Sequence, residues 1–148
     1  MAGKSAKVAA IVLAVFAVIS LVFGAVFIYQ GVNANKMLVD LLAFEKVKYE
    51  APDAKGAISG VIDTREETVA MSRILKEHRI ANYGFYAELK RDDPKRVEIL
   101  KAITMGNSLN LATLGFGVAT VIIVTGVFMI VMALALGTVA FVIRPRLN

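Results

Sequence analysis

The chain has 148 residues, of which 57% are hydrophobic, and a net charge of +5. All twelve acidic residues lie between Asp40 and Glu98, and 13 of the 17 basic ones lie between Lys36 and Lys101, so the surplus positive charge belongs to the two short tails. An almost neutral centre excludes nucleic acid as a partner, and the absence of cysteine excludes disulfides and thiol chemistry.

The first apolar run, Val8–Ile28, is 21 residues long, which matches the ~20 residues that a helix needs to cross a bilayer core. We therefore predict a tail over residues 1–7 and a first transmembrane helix over residues 8–30. A cleaved signal peptide is the alternative, because Lys4 and Lys7 precede the run. The run exceeds the roughly 7–15 apolar residues of a signal peptide, so an uncleaved anchor is the preferred interpretation.

Residues 31–107 are predicted to form a helical cap. Helical spacing of apolar residues continues past Gly31, and a further helix is expected from Asp63 to about Ile80. Thr64 with Glu67, or Asp63 with Glu66, has the spacing of a capping box at its start. Gly84 is expected to end this helix in a left-handed conformation. Its apolar stripe, predicted to pack the cap, consists of Ala70, Met71, Ile74, Leu75 and His78.

The last helix is predicted to start at Asp93-Pro94, because an acidic cap followed by proline favours a helix start. No residue before Ile143 requires a stop, and a helix over Lys95–Ile143 would be ~74 Å long, far more than the ~30 Å of a bilayer core. The predicted fold is therefore all-α: two transmembrane helices form a hairpin that extends into an extracytoplasmic stalk, capped by one amphipathic helix and loops. The second transmembrane helix is assigned to residues 108–143 and the final tail to residues 144–148.

The tails set the expected orientation. They carry only positive charge, at Lys4, Lys7, Arg144 and Arg146, and short basic segments stay in the cytoplasm. We expect a multi-pass protein of the cell membrane with both termini cytoplasmic and the central segment outside.

Small residues spaced by four lie in both apolar runs, and this spacing lets helix backbones approach closely. It predicts close helix packing, in which the partner is the same chain, a second copy or another membrane subunit. The residues are Ser20 with Gly24, Thr113 with Gly117, Gly115 with Ala119, and Ala133 with Gly137.

Few residues are candidates for chemistry. His78 is the only histidine, and a metal site requires several converging ligands, so we predict no metal, no cofactor and a packing role for His78. The pairs Glu66-Glu67 and Asp92-Asp93 coincide with predicted helix starts, where acidic side chains complement the helix dipole. Neither apolar run holds a charged residue of the kind that ion pathways use, which disfavours a pump or transporter.

One stretch is similar to a known family. Tyr86–Leu89 and Arg91–Pro94, followed by Ser108-Leu109 and Phe116–Ala119, resemble a pattern shared by small two-span membrane proteins of high-GC Gram-positive bacteria. The upstream Glu45–Val47 fits the same pattern. The chain departs from it at residues 82–85, where the family has Gly-Gly-x-Thr.

Members of that family often carry the label aromatic ring-opening dioxygenase. Such enzymes hold iron with histidines and a carboxylate, and one histidine does not supply that ligand set, so the resemblance implies the topology and no activity. We expect a non-catalytic structural or accessory subunit of a membrane assembly. A homo-oligomeric pore is the alternative, and an enzyme that uses His78 is the least favoured.

Overall fold

The computed structural model describes residues 2–46, 60 and 62–144, and over these residues all regular structure is helical. Helix α1 spans Ala2–Phe44, α2 spans Arg65–Tyr83 and α3 spans Lys95–Ile143, with a short 3₁₀ turn at Tyr86–Glu88. Helices α1 and α3 are both long and apolar enough to cross a membrane. The all-α fold with two long apolar helices is thus confirmed, while residues 47–59 and 61 of the predicted cap lie outside the described part.

The start of α2 follows one of the two predicted capping patterns. Thr64 is the N-cap, and its Oγ1 accepts a hydrogen bond from the Glu67 N–H at 3.2 Å. The Glu67 carboxylate accepts a second from the Asp63 N–H at 3.0 Å, so Asp63 precedes the cap and does not pair with Glu66. At the other end Gly84 has a positive φ of 75°, as expected, but its ψ of −151° differs from the predicted left-handed conformation; glycine adopts these angles without steric cost.

Helix α3 is continuous, as predicted. The Asp93 carboxylate accepts a hydrogen bond from the Lys95 N–H at 2.9 Å, which satisfies one of the amides that a helix start leaves unpaired. The helix then runs 49 residues to Ile143 and includes Gly106 and Asn107, although both are poor helix formers.

Arg96 fixes the connection between α2 and α3. Its Nη1 donates to the carbonyl oxygens of Leu89 at 3.0 Å and Lys90 at 3.4 Å. Its guanidinium also lies 4.0 Å from the centre of the Tyr86 ring, a favourable cation–π geometry. One arginine in the first turn of α3 therefore holds the segment from Tyr86 to Lys90 in place.

The chain divides into two compact units. Unit 1 comprises Met1–Asn33 and Ala119–Asn148, and unit 2 comprises Ala34–Val118. By packing, residues 108–118 of α3 therefore group with the cap, although the sequence assigns them to the second transmembrane helix. The reason is that Leu109, Ala112 and Phe116 are buried in the core of unit 2.

The core of unit 2 is formed by side chains from all three helices and the segment before α2. Ile62 is fully buried, and burying such an aliphatic side chain contributes about 1.5–3 kcal/mol. Thr68 is the only buried polar residue among those described, and its hydroxyl donates to the Arg65 carbonyl oxygen at 2.6 Å. The remaining buried members are Leu42, Met71, Leu109, Ala112 and Phe116.

Candidate functional site

The contact between α1 and α3 in unit 1 follows a seven-residue period of small side chains. We call these residues the small-residue ladder. A period of seven keeps one stripe of each helix facing its partner in a left-handed pair. The ladder consists of Ala10, Ala17, Gly24 and Gly31 on α1 and Ala119, Gly126, Ala133 and Ala140 on α3, all buried.

The closest approach lies at Gly24 and Gly126. A Cβ atom on Gly24 would lie 2.8 Å from the Gly126 carbonyl oxygen, and one on Gly126 would lie 2.7 Å from the Gly24 carbonyl oxygen. A Cβ on Gly31 would likewise meet the Ala119 carbonyl oxygen at 2.9 Å. Contacts that move down α3 as they move up α1 define an antiparallel pair, and at these points only glycine fits.

The structure places the predicted packing residues of unit 1 at different depths. Gly24, Ala119 and Ala133 are buried in the ladder, whereas Ser20 is half-buried. A Cβ on Gly137 would lie 4.0 Å from the Ala17 Cβ, which is an ordinary contact.

The other tight glycines, Gly31 and Gly126, were missed by the search for small residues spaced by four. The signal that finds them is the spacing of seven. It was available in the sequence, because every seventh residue from Ala10 to Gly31 is alanine or glycine.

Three predicted packing residues belong to unit 2. A Cβ on Gly115 would lie 2.9 Å from a Leu38 methyl, so this glycine makes room for a side chain of α1. A Cβ on Gly117 would meet only the Arg65 Nε, at 3.8 Å. The Thr113 hydroxyl lies 3.0 Å from Thr68 Oγ1 and therefore joins α3 to α2.

The predicted cap stripe is brought together in part. Met71 is buried, and Ile74 and Leu75 are partly buried against the same core, but His78 is exposed, which corrects its assignment as a packing residue. A helix turns about 100° per residue, so His78 lies within about 20° of Met71 around α2. It is exposed because it lies beyond Leu75, the last residue of α2 that packs against this core.

Two clefts flank α3 within unit 2, on opposite faces of the helix. The apolar cleft has a volume of about 720 Å³ and lies beside Leu42 and Glu45. The polar cleft, of about 180 Å³, lies between α2 and α3. Its lining residues are Ser72, Lys76, Arg79, Ala102, Ile103, Gly106, Asn107 and Asn110.

The polar cleft is rich in hydrogen-bond donors. Lys76 and Arg79 contribute an ammonium and a guanidinium, Asn107 and Asn110 contribute carboxamides, and no carboxylate lines the cleft. Over the described residues, no group of three or more His, Cys, Asp and Glu side chains is placed to hold a metal ion.

Among the described acidic groups of unit 2, Asp63 at the start of α2 has a displaced titration. Desolvation raises the pKa of the Asp63 carboxyl above its ordinary 3.8, and the charge and hydrogen bonding of Glu67 raise it further. A hydrogen bond from its own backbone N–H opposes these effects. This carboxyl is thus easier to protonate in the folded chain than in the unfolded one.

Comparison of the chain with protein families, curated proteins and solved structures found no match.

Proposed function

We propose that the chain is a two-span protein of the cell membrane that acts as a non-catalytic structural or accessory subunit. The observation that supports this most strongly is the glycine contact between Gly24 and Gly126. Close backbone approach through small residues is how helices associate in lipid, where no hydrophobic force drives them together. The contact gives a well-defined hairpin without the chemical groups of a reaction site.

The outward surface of the hairpin is apolar and largely unburied, as contact with lipid or with a partner helix requires. In the most apolar window of α1 only 6% of the residues are buried, against 17% in α3. Phe16 and Phe23, seven residues apart on α1, are 56% and 51% exposed and so share one outward face. In a membrane, this face meets either lipid or another helix.

Orientation is the first part of the proposal to test. Both termini are cytoplasmic and the segment between the spans is outside, because the tails carry the unopposed positive charge. The chain has no cysteine, so a single cysteine introduced at Asp53 is the only thiol that a reagent can label. The D53C variant is expected to react with an impermeant thiol reagent in intact cells, whereas S5C in the first tail reacts only after lysis. The reverse pattern refutes the orientation.

Assembly is tested by mass measurement in native lipid. The chain mass is 15.9 kDa, so whole multiples indicate copies of itself and other masses indicate foreign subunits. The double variant F16A/F23A is expected to release the partner, whereas F128A, which removes a single phenylalanine of similar exposure from α3, is the control. A closed ring of one chain type that conducts ions in planar bilayers replaces the accessory role with a pore. A monomer in native lipid refutes both.

A further inference from the structure

The polar cleft between α2 and α3 contains residues that a helix interior does not favour. Gly106, Asn107 and Asn110 lie in the middle of α3, and each disfavours a helix relative to alanine by roughly 0.5–1 kcal/mol. A Cβ on Gly106 would meet nothing within 4 Å, so this glycine does not serve a close helix contact. Residues that oppose the local helix propensity are expected at functional or strained positions.

The cleft also holds its donors in position. The Ser72 hydroxyl donates to the Asn110 Oδ1 at 2.8 Å. Because this bond occupies the acceptor end of the carboxamide, it fixes the orientation of the amide and leaves the Nδ2 end as a donor. Arg79 is half-buried, and within the described part of the chain the sole ion pair is Lys101 with Glu98. Arg79 and Lys76 therefore pair with no described carboxylate.

We propose that this cleft binds a phosphate group. The lining offers an ammonium, a guanidinium and carboxamide N–H groups, all donors, with positive charge and no carboxylate to repel an anion. Hydrogen bonds between such cations and phosphate oxygens are among the stronger ones in proteins. The volume of about 180 Å³, at roughly 30 Å³ for each water, accommodates a phosphate group with a small substituent. The group is carried either by a soluble phosphate compound or by a lipid headgroup.

A solvated basic surface is the simpler explanation, and Arg73 separates the two. Arg73 is exposed on the same helix but does not line the cleft. R73Q therefore changes the net charge of α2 without touching the proposed site. Ser72 provides the complementary variant, because S72A leaves the charge unchanged and releases Asn110.

The test uses the full chain in maltoside micelles, which contain no phosphate. Titration calorimetry with inorganic phosphate measures the soluble form of the ligand. Native mass spectrometry of mixed micelles with phosphatidylglycerol counts retained lipids and measures the headgroup form. We expect binding in at least one arm, weakened at least tenfold in K76Q/R79Q, weakened several-fold in S72A and unchanged in R73Q.

Which arm responds identifies the source of the phosphate. Phosphate binding that phosphatidylglycerol does not displace indicates a soluble ligand, and retained lipid that blocks phosphate indicates a headgroup. The proposal is overturned if the wild-type chain binds neither probe, or if R73Q weakens binding as much as K76Q/R79Q. Circular dichroism of each variant separates loss of the site from loss of the fold. The topology and assembly experiments do not depend on this result.

Discussion

Replacing Gly24 with alanine is expected to destabilise the hairpin by about 1–2 kcal/mol. The added methyl would lie 2.8 Å from the Gly126 carbonyl oxygen, at least 0.6 Å inside an ordinary contact of 3.4 Å. That oxygen is backbone, so one helix has to move. Overpacking of this kind costs about 1–3 kcal/mol, and the better helix propensity of alanine offsets up to about 1 kcal/mol.

Gly137 is the matched control, since it lies on α3 in the same unit. A methyl there would lie 4.0 Å from the Ala17 Cβ, so G137A introduces no clash and gains only helix propensity. G126A should resemble G24A because the two methyl groups press on the same contact. Once the first added methyl group has separated the helices, the second costs less. The stability lost in the double variant should therefore be smaller than the sum of the losses in G24A and G126A.

The measurement uses dyes on cysteines at Val8 and Val142, exposed residues near the ends of the two helices. Energy transfer between the dyes falls as sodium dodecyl sulfate separates the hairpin, and the midpoint reports its stability. A G24A variant that is no less stable than G137A would refute the glycine contact.

The remaining predictions concern unit 2. Thr68→Val removes the buried hydroxyl and should cost about 1 kcal/mol, seen as faster amide hydrogen exchange in α2; unchanged exchange contradicts the Thr68 bonds. Because the pKa of Asp63 is raised in the folded chain, its protonation stabilises the fold at low pH, and this contribution is lost as the pH rises through the raised value. Asp63→Asn should flatten that dependence in thermal melts across the range just above 3.8, and an unaltered profile contradicts the assignment. Met71→Asp, which buries a charge, should unfold the cap by circular dichroism. His78→Gln should leave both stability and metal content unchanged, and a bound metal lost in this variant would restore the enzyme hypothesis.

The helices were predictable from the sequence because their signals are local. Asp93-Pro94 and the Thr64–Glu67 pair start helices through neighbouring backbone amides, and two long apolar runs have few other solutions. The helix contact was predictable only in part. Small residues predict close helix packing. Whether the residues at the contact recur every four or every seven positions depends on how the two helices cross. The position of Arg79 in the polar cleft could not be predicted for a related reason, since it depends on the rotation of α2 against α3.

A ladder that repeats every seven residues has an ambiguity built into it. If α1 slid along α3 by one repeat, small residues would again meet small residues, and the displaced pairing would bury a similar surface. The native pairing is distinguished by the contact of Gly24 with Gly126, since a slip would set Gly24 against an alanine. It is also distinguished by the next position in the series, Leu38, which is large and lies against Gly115. A slip by seven would set this leucine against Ala119 or its neighbours in place of glycine. Leu38 and Gly115 thus work as a stop that sets the sliding position of the helices, and removing the stop should yield hairpins of mixed register.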